Sequence, residues 1–168
     1  VNAAVSAKNV TATNLRLNAA GSIGVTTRHL TTDIDTLSAL AGSGSIYLTE
    51  DNGVTVANVS VSVTDFNSDA TITAVTDAAQ SDMTTSTNGN IILVATLGDI
   101  ILNDGSDSDS IAVSANGSGN VLIDALTGSI TASANILSGV GHITLKGGTD
   151  IDLATGVTVA TATPGTIS

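Results

Sequence analysis

A short unit recurs along the chain: a glycine, a polar residue, then Ile or Val opening an alternation of apolar and polar positions. It stands at Gly21-Ser22-Ile23, Gly44-Ser45-Ile46, Gly89-Asn90-Ile91, Gly119-Asn120-Val121 and Gly141-His142-Ile143. The successive separations are 23, 45, 30 and 22 residues, the second reading as two periods of roughly 22. Periods of about 20 to 50 residues are the mark of solenoids and arrays. About nine residues into most units a second apolar segment follows: Gly53-Val54-Thr55-Val56, Gly98-Asp99-Ile100-Ile101-Leu102, Gly128-Ser129-Ile130 and Thr149-Asp150-Ile151-Asp152-Leu153. A third, less regular segment often comes next, as in Ile111-Ala112-Val113 and Val157-Thr158-Val159. Each unit is thus predicted to hold two or three short strands separated by Gly, Asn, Asp and Ser turns.

Neighbouring side chains of a strand point to opposite faces, so Ile46 and Leu48, Val121 and Ile123, Ile143 and Leu145, and Ile151 and Leu153 are predicted to face inward. One unit cannot bury such a row alone. Units stacked about 4.8 Å apart share one continuous core, and the expected fold is an all-β parallel solenoid of about seven rungs, roughly 35 Å long. Residues 1–168 are expected to form one such segment, with an irregular rung over about 64–88, where glycine is missing from Thr64 to Thr87, and a loop insertion over 103–110. The pattern is already running at Val10-Thr11-Ala12 and continues almost to Ile167. The expectation is therefore an excised fragment of a longer array, whose neighbouring repeats are its first partners.

Composition sharpens this picture. Aromatic residues make up 1% of the chain and AVILMFWYC residues 42%, so the apolar mass is aliphatic and suits a narrow core. Abundant Thr, Ser, Asn and Asp with 17 Gly disfavour helices, and abundant β-branched residues disfavour disorder. A formal net charge of −11 repels phosphate backbones and anionic lipid, which argues against nucleic-acid partners. No apolar run approaches the roughly 20 residues of a membrane span, and Val1 to Val10 have no signal-peptide pattern. With no Cys, stability must come from the core rather than from disulfides.

Two stretches carry a family resemblance. Gly89-Asn90-Ile91-Ile92-Leu93 followed by Gly98-Asp99-Ile100-Ile101-Leu102 resembles the repeats of filamentous haemagglutinin-type adhesins. So does Leu15-Arg16-Leu17-Asn18-Ala19-Ala20-Gly21-Ser22-Ile23-Gly24, continuing to Gly44-Ser45-Ile46-Tyr47-Leu48. The resemblance covers most of the chain and is weakest over Thr64 to Thr87. It implies a right-handed parallel β-helix, export to the cell surface, and a role as an adhesin or giant stalk protein. The expected function is a non-catalytic stalk or spacer segment of a large secreted bacterial adhesin, with a calcium-stabilised or glycan- or protein-binding module as the alternative. The resemblance supplies no catalytic residue.

Candidate chemistry is sparse. Asn103-Asp104-Gly105-Ser106-Asp107-Ser108-Asp109-Ser110 is the densest acidic run, and Asp104, Asp107 and Asp109 are candidate calcium ligands because calcium takes carboxylate oxygens. The run lacks the ordered EF-hand positions, so a solvated loop is the competing reading; no other cofactor is expected. Asp99, Asp124, Asp150 and Asp152 recur in the repeat but at different places in their rungs, which argues against a polysaccharide-cleaving acid pair. His29 and His142 have no partner pattern and read as surface or turn residues. Thr11-Ala12-Thr13, Thr71-Ile72-Thr73 and Thr161-Ala162-Thr163 fall at unrelated points, unlike the regular column of an ice-binding face. Tyr47, Ile92 and Leu122 are expected to share one outward position, with Ile101 nearby, as a candidate contact face for a neighbouring segment, another protein or a cell surface.

Overall fold

The computed structural model describes residues 7–168, so residues 1–6 of the expected segment lie outside it. Its regular elements are sixteen strands, and fourteen of them form one largely parallel sheet that wraps through 299°. The first rung is β1 (Val10–Ala19) and the second is β2 (Leu30–Ala41), each running unbroken across the rod. The third holds β3 (Ile46–Glu50) and β4 (Val54–Val56). The chain then leaves the rod as β5 (Ser62–Phe66) and β6 (Ile72–Thr76) before returning as β7 (Met83–Thr85). The fourth rung is β8 (Ile91–Ala95), β9 (Ile100–Leu102) and β10 (Ile111–Ala115). The fifth is β11 (Val121–Ala125), β12 (Ile130–Ala132) and β13 (Asn135–Ser138). The sixth is β14 (Ile143–Gly147), β15 (Ile151–Leu153) and β16 (Val159–Thr161), and Ile167 bridges to Ile143 to begin a seventh.

Three parallel columns result. The first runs β2, β3, β8, β11, β14, the second β2, β4, β9, β12, β15, and the third β2, β7, β10, β13, β16, with β1 beneath β2. The fold is a parallel β-helix. One expectation needs correction. Ile46 pairs directly with Ile91, so the separation of 45 residues is a single rung and not two periods. The excess is the antiparallel β5–β6 hairpin, which registers Val63 on Val75 and Phe66 on Ile72 outside the rod. Its strands read as rung strands by alternation alone, which is why spacing misled.

The recurring unit has a physical cause at each of its positions. Its polar residue holds the corner before the first column. Ser22 Oγ accepts the amide of Ser45 at 3.1 Å, and Ser45 Oγ that of Asn90 at 2.9 Å. Asn90 Oδ1 accepts the amide of Asn120, and Asn120 Oδ1 that of His142, both at 2.8 Å. His142 Nδ1 takes the amide of Thr166 at 3.2 Å. Each side chain thus satisfies a backbone donor that the bend at the corner removes from the regular ladder. The apolar residue fills the core: Ile46, Ile91 and Ile143 are fully buried, and Val121 nearly so.

The glycine is there because rungs approach closely. A Cβ on Gly119 would lie 2.1 Å from the carbonyl oxygen of Gly89, whereas one on Gly21 would meet nothing within 4 Å. Gly119→Ala is therefore expected to lower stability by about 2 kcal/mol through forced backbone displacement. Gly21→Ala is expected to stay within about 0.5 kcal/mol of the parent. Urea titration of both variants checks the contrast, and equal losses would remove the close-approach explanation.

The core is one aliphatic file. Leu48, Leu93 and Ile123 stack in the first column, Val54, Ile100 and Ile130 in the second, and Met83, Val113 and Ile136 in the third, all 3% exposed or less. Burial falls off in the sixth rung, where Ile151 and Leu153 are exposed although they keep the inward register.

Candidate functional site

The predicted outward column exists. Tyr47 pairs with Ile92 and Ile92 with Leu122, and each is half-buried. Ile101 stands exposed in the second column between Thr55 and Thr131. Beside Tyr47 lies the His29 ring, with centroids 5.6 Å apart, and His29 Nδ1 is 2.9 Å from Thr49 Oγ1. The repeat acids are dispersed. Asp124 pairs with Lys146, its neighbour on the next rung, while Asp99 Oδ1 accepts the amide of Ser129 at 2.8 Å and so serves its corner. A second apolar surface was not anticipated: on the hairpin Val63, Phe66, Ile72 and Val75 are 48–74% exposed.

The acidic run behaves differently. Residues 103–110 bulge from the rod between the second and third columns of the fourth rung, and the β5–β6 excursion leaves at the same corner one rung below. That stacking brings Asp82, which ends the excursion, against the loop. Carboxylate oxygens of Asp82, Asp104 and Asp107 all lie within 4.8 Å of one another. Asp109 is not in this trio, because its Oδ1 caps the amide of Ile111 at 2.8 Å. Two of the three expected ligands therefore converge, and the third place is taken by a residue 22 positions away in sequence.

Several contacts fix this arrangement. Met83 pairs with Val113, which sets the two segments in register, and the Asp82 carbonyl accepts the amide of Ala39 at 2.8 Å. Asp82 has a φ of 65°, in the left-handed region that a non-glycine residue adopts at a cost of roughly 1 kcal/mol or more. Ser81 Oγ accepts the amide of Ser106 at 3.1 Å, and a Cβ on Gly105 would sit 2.0 Å from that oxygen. Only glycine lets the loop come this close.

Electrostatically the cluster is uncompensated. Asp82 is 2% exposed, and its Oδ1 has no hydrogen-bond partner; neither has Asp104 Oδ1. Burial pushes the Asp82 carboxyl up to about 7, and the charges of Asp107, Asp109 and Asp104 push the same way. Among the described residues the ion pairs lie elsewhere: Lys8 with Asp33 and Asp51, Arg16 with Asp77, and Lys146 with Asp124.

No family model, curated protein or solved structure matches the chain.

Proposed function

We propose that this chain is a stalk or spacer segment of a large secreted or cell-surface bacterial adhesin of the filamentous haemagglutinin type, with a mechanical rather than a catalytic role. The observation that carries the reading is the continuous parallel ladder through six rungs, with side-chain ladders at its corners and one aliphatic core. Such a rod holds its rungs at fixed spacing and gains stability from each added neighbour. Its acidic surface keeps it apart from nucleic acid and anionic lipid. Its partners are then neighbouring repeats of a parent chain and, beyond them, another protein or cell surface.

A second reading, a binding module, is favoured by the hairpin, which presents Phe66 and Ile72 as a cross-strand apolar pair away from the rod. Labelling of intact producing cells with antibody to this chain, together with adhesion of chain-coated beads to host cells, separates these readings. The stalk reading expects label on intact cells and beads that do not adhere. Label only after permeabilisation would remove the surface assignment. Adhesion that disappears in a Phe66→Ser, Ile72→Ser variant would replace the stalk with the binding module.

A further inference from the structure

We propose that Asp82, Asp104 and Asp107 form a calcium site that clamps the root of the β5–β6 hairpin to the acidic loop of the next rung. An acidic run alone is ordinarily a solvated loop. What distinguishes this one is Asp82: a buried carboxylate that shares the cluster with Asp104 and Asp107 and whose Oδ1 has no hydrogen-bond partner. A buried anion without a partner is costly, and the bound cation supplies the missing one.

The geometry suits calcium. Oxygens on opposite sides of a calcium ion bound at about 2.4 Å are about 4.8 Å apart, so three oxygens lying within 4.8 Å of one another are close enough to share one ion. Three carboxylates supply hard oxygen donors, and solvent at the exposed Asp107 side completes the six to eight ligands calcium takes. The protein has already built the cradle: Gly105 allows the close approach, the Ser81–Ser106 bond holds it, and Asp82 is held in a left-handed conformation from both sides. Ions that bind here join the roots of two excursions from the rod's ladder, the β5–β6 hairpin and the 103–110 loop. Calcium therefore sets how firmly the hairpin is mounted, whatever the hairpin does.

The test is isothermal titration of the full chain with calcium chloride after treatment with chelator, paired with thermal melts read by circular dichroism. One site per chain is expected, with the melting temperature raised by roughly 5–10 °C at calcium a hundredfold above Kd. Asp82→Asn is expected to abolish both the heat of binding and the rise. In chelator it is expected to melt no lower than the parent, since it removes a buried charge. Asp104→Asn and Asp107→Asn, in the solvent-reached loop, repeat the test independently of the buried position. Absence of binding at millimolar calcium would overturn the site, as would binding that survives all three substitutions. Magnesium titrated in parallel is expected to bind at least tenfold more weakly, because that ion demands a near-ideal octahedron and gives up its water reluctantly.

Discussion

Leu93→Ala should lower the stability of this protein by about 3–4 kcal/mol, one of the two largest losses expected from a single substitution. Leu93 is 1% exposed and sits in the fourth rung between Leu48 and Ile123, its register partners below and above. Truncation removes the transfer free energy of three carbons and leaves a cavity, and leucine-to-alanine changes of this kind cost roughly 2–5 kcal/mol. The upper part of that range applies because the walls cannot close. Hydrogen bonds hold the rungs about 4.8 Å apart, and the neighbouring inward positions are fixed by the same ladder. For a chain of this length the loss corresponds to a fall in melting temperature of roughly 6–15 °C. Leu145→Ala is the control. It occupies the same inward column in the sixth rung but is only half-buried, so about 1 kcal/mol is expected. Urea titration of both variants gives the comparison. Equal losses would mean that the core is not a continuous file whose contacts add from rung to rung.

The inward register behind that prediction was legible in the sequence, because the alternation of apolar residues states which side chains face inward. The fall in burial at the sixth rung, where Ile151 and Leu153 are exposed, was not. Ile46 and Leu48, and Val121 and Ile123, lie where alternation puts them, and the Tyr47–Ile92–Leu122 column follows from the same register. What spacing could not supply was the difference between a rung and an excursion. Val61 and Val63 alternate as well as any rung strand, and only the pairing of Ser62 with Thr76 and Phe66 with Ile72 turns that segment back on itself. Its turn, Asn67-Ser68-Asp69-Ala70, carries turn-forming residues but no glycine, and Ala70 takes the φ of 65°, so it does not resemble the glycine corners of the rungs. The acidic cluster was half legible for a related reason. Asp104 and Asp107 stand in a visible run, but Asp82 is an isolated aspartate between Ser81 and Met83. Its role depends on the register of β7 against β10, which places the end of one excursion under the start of the next. Two insertions at the same corner of successive rungs meet in space, and the sequence records that only once the rungs are counted correctly.

Glu50→Ala is the second large loss expected, about 2–4 kcal/mol, and its reason lies in the same counting. The chain's one glutamate is fully buried in the first column, where the residues stacked above it are Ala95 and Ala125. A carboxylate replaces a methyl group there because the rungs change length. β2 runs straight through the corner, with four residue steps from Thr32 to Thr36, whereas the third rung takes five from Glu50 to Thr55. Pairing stops at Thr32 and resumes at Thr36, so the amide of Ile34 has no carbonyl opposite it. Glu50 Oε1 accepts that amide at 3.1 Å and the amide of Asn52 at 3.2 Å, while Oε2 accepts the Thr32 hydroxyl. Alanine would strand three donors at a buried corner, and hydrogen bonds to a charged acceptor contribute about 1.5–3 kcal/mol each, less whatever water recovers. Glu50→Gln keeps Oε1 for the two amides, and the Thr32 hydroxyl can rotate to accept from the new amide group, so about 1 kcal/mol is expected. Urea titration should therefore rank the parent above Glu50→Gln and Glu50→Ala last. Amide exchange should show Ile34 and Asn52 losing protection in the alanine variant first. If alanine instead proved as stable as glutamine, the carboxylate would be filling space rather than closing the register gap.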